Sequence, residues 1–92
     1  MWYHGGHLSK KEKLLRKAIE SPENLRFNEL KTLLSYYGFE WRRTKGDHGI
    51  YKNKKCREIL NIQPDKNDKS KAKKYQVDKF IATLKKNGFL ED

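Results

Sequence analysis

The sequence predicts an α+β domain in which a three-stranded antiparallel sheet carries helices packed on one face, in the order α-α-β-β-β-α. Three observations predict it. Two stretches place apolar residues at i, i+3, i+4 and i+7, the period of a helix with one buried stripe: Leu30, Leu33, Leu34 and Tyr37, and later Val77, Phe80, Ile81 and Leu84. Between them, residues 39–45, 48–52 and 57–63 read as strands separated by short turn-forming runs, the pattern of an antiparallel meander. Finally, 92 residues make one domain at most, and two Trp, five Tyr and four Phe supply core area to a chain that is 37% charged.

Residues 1–8, MWYHGGHL, have no period and are expected to form a flexible arm ahead of a single domain over 9–92. His4 and His7 fall short of the ligand set of a structural zinc site, and no cysteine pair accompanies them. Residues 9–20 follow as a short amphipathic helix. Ser9 and Glu12 form a capping-box pattern, and Leu15, Ala18 and Ile19 share a face. Ser21-Pro22 ends this helix, because the residue before proline avoids helical angles. In the helix over 27–37, Phe27 extends the apolar stripe and Asn28 is the expected N-cap. Glu29 suits the positive end of the dipole, and Gly38 takes the left-handed position after the last turn.

In the first strand Phe39 and Trp41 point one way and Glu40 and Arg42 the other. Gly46-Asp47 and Asn53-Lys54-Lys55 are the turns, and in the third strand Leu60 and Ile62 oppose Ile59 and Asn61. Residues 64–74, PDKNDKSKAKK, form a lysine-rich connection, read either as solvated and mobile or as a phosphate-contacting loop. The last helix spans 75–87, with Lys85 and Lys86 at its negative end and Gly88 closing it. Phe89 and Leu90 then fold back on the core. Helices on one face leave the other face of the sheet open.

A net charge of +10 and a pI near 9.8 mean attraction to polyanions and sensitivity to salt. Nucleic acid is the leading partner class. The single cysteine, Cys56, has no partner in the chain, which fits a reducing cytoplasm. No apolar run approaches the roughly 20 residues of a membrane helix, so a cytoplasmic protein with no membrane partner is expected. There is no Walker loop, no CxxC pair and no acidic cluster, and Asp65 and Asp68 lie among lysines. No metal or cofactor is expected.

The chemistry concentrates in residues 39–51, FEWRRTKGDHGIY. RNA can be cleaved without a metal, because its 2′-OH serves as an internal nucleophile. The catalyst must take that proton, give one to the leaving 5′ oxygen and stabilise the phosphorane. Histidine suits the proton steps and lysine or arginine the charge. One hairpin supplies His48 together with Arg42, Arg43, Lys45, Tyr51 and Lys52. Strand parity leaves one question open. If Ile50 faces the core, His48 shares its side unless the turn re-aims it; otherwise Tyr51 faces the core.

The run RFNELKTLLSYYGFEWRRTKGDHGIY resembles the HicA family of bacterial toxin ribonucleases, the mRNA interferases. In that family a helix ending in a Gly-Phe pair leads into a strand, then a Gly-Ser-His turn with an apolar strand behind it. The later AKKYQVDKFI is similar to a helix start in one branch of the family, and the resemblance covers roughly residues 25–88. It implies a double-stranded-RNA-binding-domain-like fold. It also implies the toxin of a type II toxin–antitoxin system, cleaving mRNA without a metal and arresting translation. A HicB-type antitoxin would cover the active site. The family's catalytic histidine falls on His48 and its turn glycine on Gly46, while Asp47 stands where the family usually has serine. Contacts to RNA are expected from Arg42, Arg43, Lys45, Gly46 and Lys52. The alternatives are a non-catalytic RNA-binding module of the same fold and an adaptor for an acidic protein.

Overall fold

A computed structural model describes residues 8–90. The arm expected over 1–8, with His4 and His7, lies outside the described residues except for Leu8. Helix α1 spans Lys10–Glu20, a 3-10 turn follows at Pro22–Asn24, and α2 spans Phe27–Tyr36. Strands β1 (Phe39–Lys45), β2 (His48–Asn53) and β3 (Ile59–Ile62) precede α3 (Lys74–Lys86). The strands form one antiparallel sheet in the order β1-β2-β3. The element order is therefore the predicted α-α-β-β-β-α. Helix α2 packs against β1, α3 against β3, and α1 against both α2 and α3.

The two predicted stripes form the core. Leu30, Leu33 and Leu34 of α2 and Val77, Phe80 and Leu84 of α3 are buried with Phe39, Leu60 and Ile62 of the sheet. Each such side chain contributes about 1.5–3 kcal/mol by leaving water. Phe80 meets both Tyr37 and Phe39 edge-on, the arrangement aromatic quadrupoles favour.

The α1 capping box forms as expected. Glu12 N donates to Ser9 Oγ (3.1 Å) and Ser9 N donates to Glu12 Oε1 (2.9 Å). Its buried face differs from the expected one. Leu14 and Ala18 are buried, Leu15 is half-buried and Ile19 is exposed. The apolar stripe is wider than the contact, and the helix seats on its Leu14–Ala18 side.

The cap of α2 also differs. Arg26, not Asn28, is the N-cap, and its backbone N–H donates to Glu29 Oε1 at 2.9 Å. The physical reason lies in the lysine-rich connection. Phe27 N donates to Ser70 O and Ala72 N to Leu25 O, so residues 25–27 are held extended against 70–72 until the helix begins. That connection is consequently a built turn, not a loose one. Asp65 Oδ1 accepts from the amides of Asn67 and Asp68, Asp68 Oδ1 accepts from Ser70, and Ala72 is buried.

Asn53, at the end of β2, is 1% exposed. Its Nδ2 donates to the Tyr37 carbonyl at 2.8 Å, while its Oδ1 accepts from the amides of Lys55 and Cys56. One side chain thereby ties the end of α2 to the β2–β3 turn. Asn53→Ala would leave these backbone groups without their partner and should lower stability by about 2–3 kcal/mol, measured by urea unfolding.

Glu29 also accepts from Lys17 Nζ at 2.8 Å, linking α1 to α2. Burial raises the Glu29 pKa, but the hydrogen bonds from Lys17 and the Arg26 amide outweigh it and hold the carboxyl below its ordinary value. A depressed carboxylate stabilises the fold above its unfolded pKa and loses that contribution as pH falls through the folded value. The stability gap between the natural protein and Glu29→Gln, about 1 kcal/mol at pH 7, should therefore narrow as unfolding is measured from about pH 5 down to pH 3.

Candidate active site

The predicted hairpin forms with Lys45 opposite His48, which leaves Gly46 and Asp47 as its two-residue loop. Gly46 has φ +64°, the positive angle that two-residue hairpin loops of the primed types require at their first position. Strand β2 then resolves the parity question. Tyr51 is buried and lies across from buried Leu60, so His48, Ile50 and Lys52 point to the open face. The Tyr51 ring also occupies the space above Gly49, where an added Cβ would stand 3.1 Å from Tyr51 Cε1.

Strand β1 carries an irregularity between Trp41 and Arg43 that leaves Arg42 as an extra residue. Its effect is to set Arg43 beside Ile50 and Lys45 beside His48 on the open face, with Glu40 beside Lys52. Arg42 lines a small hollow with Glu40, Lys52, Lys54 and Arg57. The sequence-predicted residues Arg42, Arg43, Lys45, Gly46, His48 and Lys52 are thus brought to one hairpin, whereas Tyr51 departs to the helix side. Arg42, Arg43, Lys45 and Lys52 form no ion pair among the described residues, so their charge is free for an anionic ligand.

His48 borders a cavity of about 430 Å³ lined by Lys45, Gly46, Ile50 and Asn61. Its side chain is 42% exposed, and Nε2 lies 3.7 Å from Asp47 Oδ1. That distance is an electrostatic contact, longer than a hydrogen bond. Asp47 is held in turn by long bonds from Gln63 Nε2, at 3.4 Å to each carboxylate oxygen. Gln63 N donates to Oε1 of buried Gln76 on α3 (2.9 Å). A relay of contacts therefore runs from α3 through Gln63 and Asp47 to the imidazole. Sequence reasoning missed Gln63, because a contact across the sheet end leaves no periodic signal. The arrangement presents a proton-transfer group within a field of uncompensated cations. Among the described residues no group of three or more His, Cys, Asp or Glu is placed to hold a metal ion.

The chain matches no family model, no curated protein and no solved structure. The likeness to the HicA family accordingly rests on the sequence of residues 25–88 alone.

An added Cβ at Gly46 meets nothing within 4 Å, so the cost of Gly46→Ala is backbone strain alone. It should amount to about 1–2 kcal/mol. Gly46→Asn should lose less, because asparagine tolerates left-handed angles, and thermal unfolding of the two variants compares them directly.

Proposed function

We propose that this protein is a metal-independent endoribonuclease in which His48 is the general acid or base, and that it acts in the cytoplasm as the toxin of a type II toxin–antitoxin system. The observation that carries the catalytic part is the setting of His48. Its imidazole stands at the rim of a cavity on the uncovered sheet face, beside Lys45, with Arg43 in the next cross-strand row, and among the described residues no carboxylate pairs with either cation. A phosphodiester lying on that face meets cations for its charged oxygens and an imidazole for its proton transfers. The 2′-OH supplies the nucleophile, so the products would be a 2′,3′-cyclic phosphate and a free 5′-OH. The resemblance to HicA toxins supports mRNA as the substrate, arrest of translation as the outcome and a HicB-type antitoxin as the protein partner. Among the described residues no helix is long and apolar enough to cross a membrane.

The purified protein should cut RNA in excess chelator, leave DNA of the same sequence whole, and yield cyclic-phosphate ends. His48→Ala should lower the rate by about 10²–10⁴-fold and abolish growth arrest on induction. Equal rates or equal toxicity of the two proteins would sink the catalytic role of His48. Salt-sensitive RNA binding without any cleavage would instead favour a non-catalytic RNA-binding module, for which Lys66, Lys69, Lys71 and Lys73 on their pinned turn provide a second basic surface.

A further inference from the structure

Trp41 shares the core-side parity of Phe39 and Tyr51, yet it is 57% exposed. The helix beside it does not cover it. Between α2 and the β1 edge runs an open groove of about 730 Å³, to which α2 contributes Asn28, Lys31, Thr32 and Ser35 and the sheet Trp41 and Tyr51. The indole is tethered within it, since Nε1–H donates to Thr44 Oγ1 at 3.2 Å. Indole nitrogen is the side chain's sole donor, so the bond fixes the ring while leaving its faces without a polar partner.

We propose that this groove is a stacking subsite for one unpaired base of the RNA strand whose phosphate lies at His48. The inference rests on the ribonuclease reading and adds to it how the strand is gripped. Three features favour a base over other occupants. A smaller hollow of about 140 Å³ shares Lys31, Trp41 and Tyr51 with the groove and continues to Asp47, the neighbour of His48. Along β1, Trp41 and the residue opposite His48 are roughly 13 Å apart, and because the groove lies on the helix side of the sheet, the RNA strand passes round the β1 edge from the open face. The charge pattern is the second feature. Glu40 and Asp47 border the two hollows, and among the described residues Lys31 is the one cation lining either, so the groove disfavours a phosphate and accepts a neutral ring. Phosphates are drawn instead to the free cations of the open face.

The third feature is the hydrogen-bonding capacity along α2. The Asn28 amide forms no side-chain hydrogen bond among the described residues, which leaves it a donor and an acceptor for a base edge. The Thr32 and Ser35 hydroxyls donate to the carbonyls of Asn28 and Thr32, so their remaining lone pairs point to acceptor roles. An aromatic ring with adaptable polar groups beside it is how proteins hold unpaired bases.

The test uses the full chain with Trp2→Phe, which leaves Trp41 as the single indole, and a labelled 2′-O-methyl oligouridylate that cannot be cut. Binding should quench Trp41 emission, and Trp41→Ala should weaken the dissociation constant measured by anisotropy roughly tenfold or more. Trp41→Phe should retain part of the affinity, and circular dichroism of both variants confirms that they fold. RNA binding and cleavage with unchanged Trp41 emission, and an unchanged constant in Trp41→Ala, would overturn the subsite and leave the ribonuclease reading standing. A protein captured through Trp41 while RNA affinity is unaffected would likewise overturn it. Absence of any RNA affinity would overturn both.

Discussion

The side-chain amide of Asn53 sits where the end of α2, the start of β1 and the β2–β3 turn meet, and it satisfies backbone groups from two of them at once. Main-chain polar groups removed from water must find partners, and neither a helix end nor a tight turn provides enough of them internally. The same junction joins Lys54 N to Gly38 O and Asn53 N to Glu58 O. It also holds Arg57 at φ +64°, a conformation that costs a non-glycine residue about 1–2 kcal/mol. The hydrogen bonds around Asn53 offset that cost. Because β2 hangs from this junction at one end and carries His48 at the other, the register of the candidate site is set by an amide a full strand length away.

From that register follows the division of labour between the two sheet faces. One face is given to Tyr51, Leu60 and Ile62 against α2 and α3. The other keeps Arg43, Lys45, His48 and Lys52 in adjoining rows. The extra residue at Arg42 is what aligns Arg43 and Lys45 with Ile50 and His48; strict alternation from Phe39 would have turned both toward the helices. Two carboxylates temper the resulting field: Asp47, which Gln63 holds beside the imidazole, and Glu40, which lies across from Lys52 and pairs with Lys54. A single inserted residue and two carboxylates thus shape the electrostatics of the hairpin.

The helices and strands were legible because α2 and α3 repeat their apolar residues at helical spacing, and because Gly46-Asp47 is a strong turn signal. The capping box of α1 was legible for the same reason: its partners are three residues apart. What escaped was set by partners distant in the chain. Asn53 reads as an ordinary turn former among lysines, and nothing local shows that Tyr37 needs its amide. HGIYKN has bulky apolar residues at both parities, so alternation alone could not choose between Ile50 and Tyr51. Asn28 is the better cap by residue type, yet the pairing of residues 25–27 with 70–72 starts the helix earlier, at Phe27. Ala72, set among lysines, is the buried peg of that pairing, and nothing in its neighbours' residue types shows it. In the candidate site, the basic residues and His48 were visible as a cluster, while the supporting Gln63 and Gln76 were not.

A three-stranded sheet has two unpaired borders, and here β1 is one of them. An extended border with free backbone groups invites a second molecule to add itself as another strand. β1 resists this with the same features that serve its face: a bulge that breaks the regular spacing of its hydrogen-bonding groups, and Arg42, Arg43 and Lys45 in close succession. At the opposite border, β3 is only four residues long. The cationic stretch therefore has a protective role that does not depend on any ligand. Even in a molecule with no RNA to bind, replacing these charges by neutral residues would trade solubility for self-association along β1.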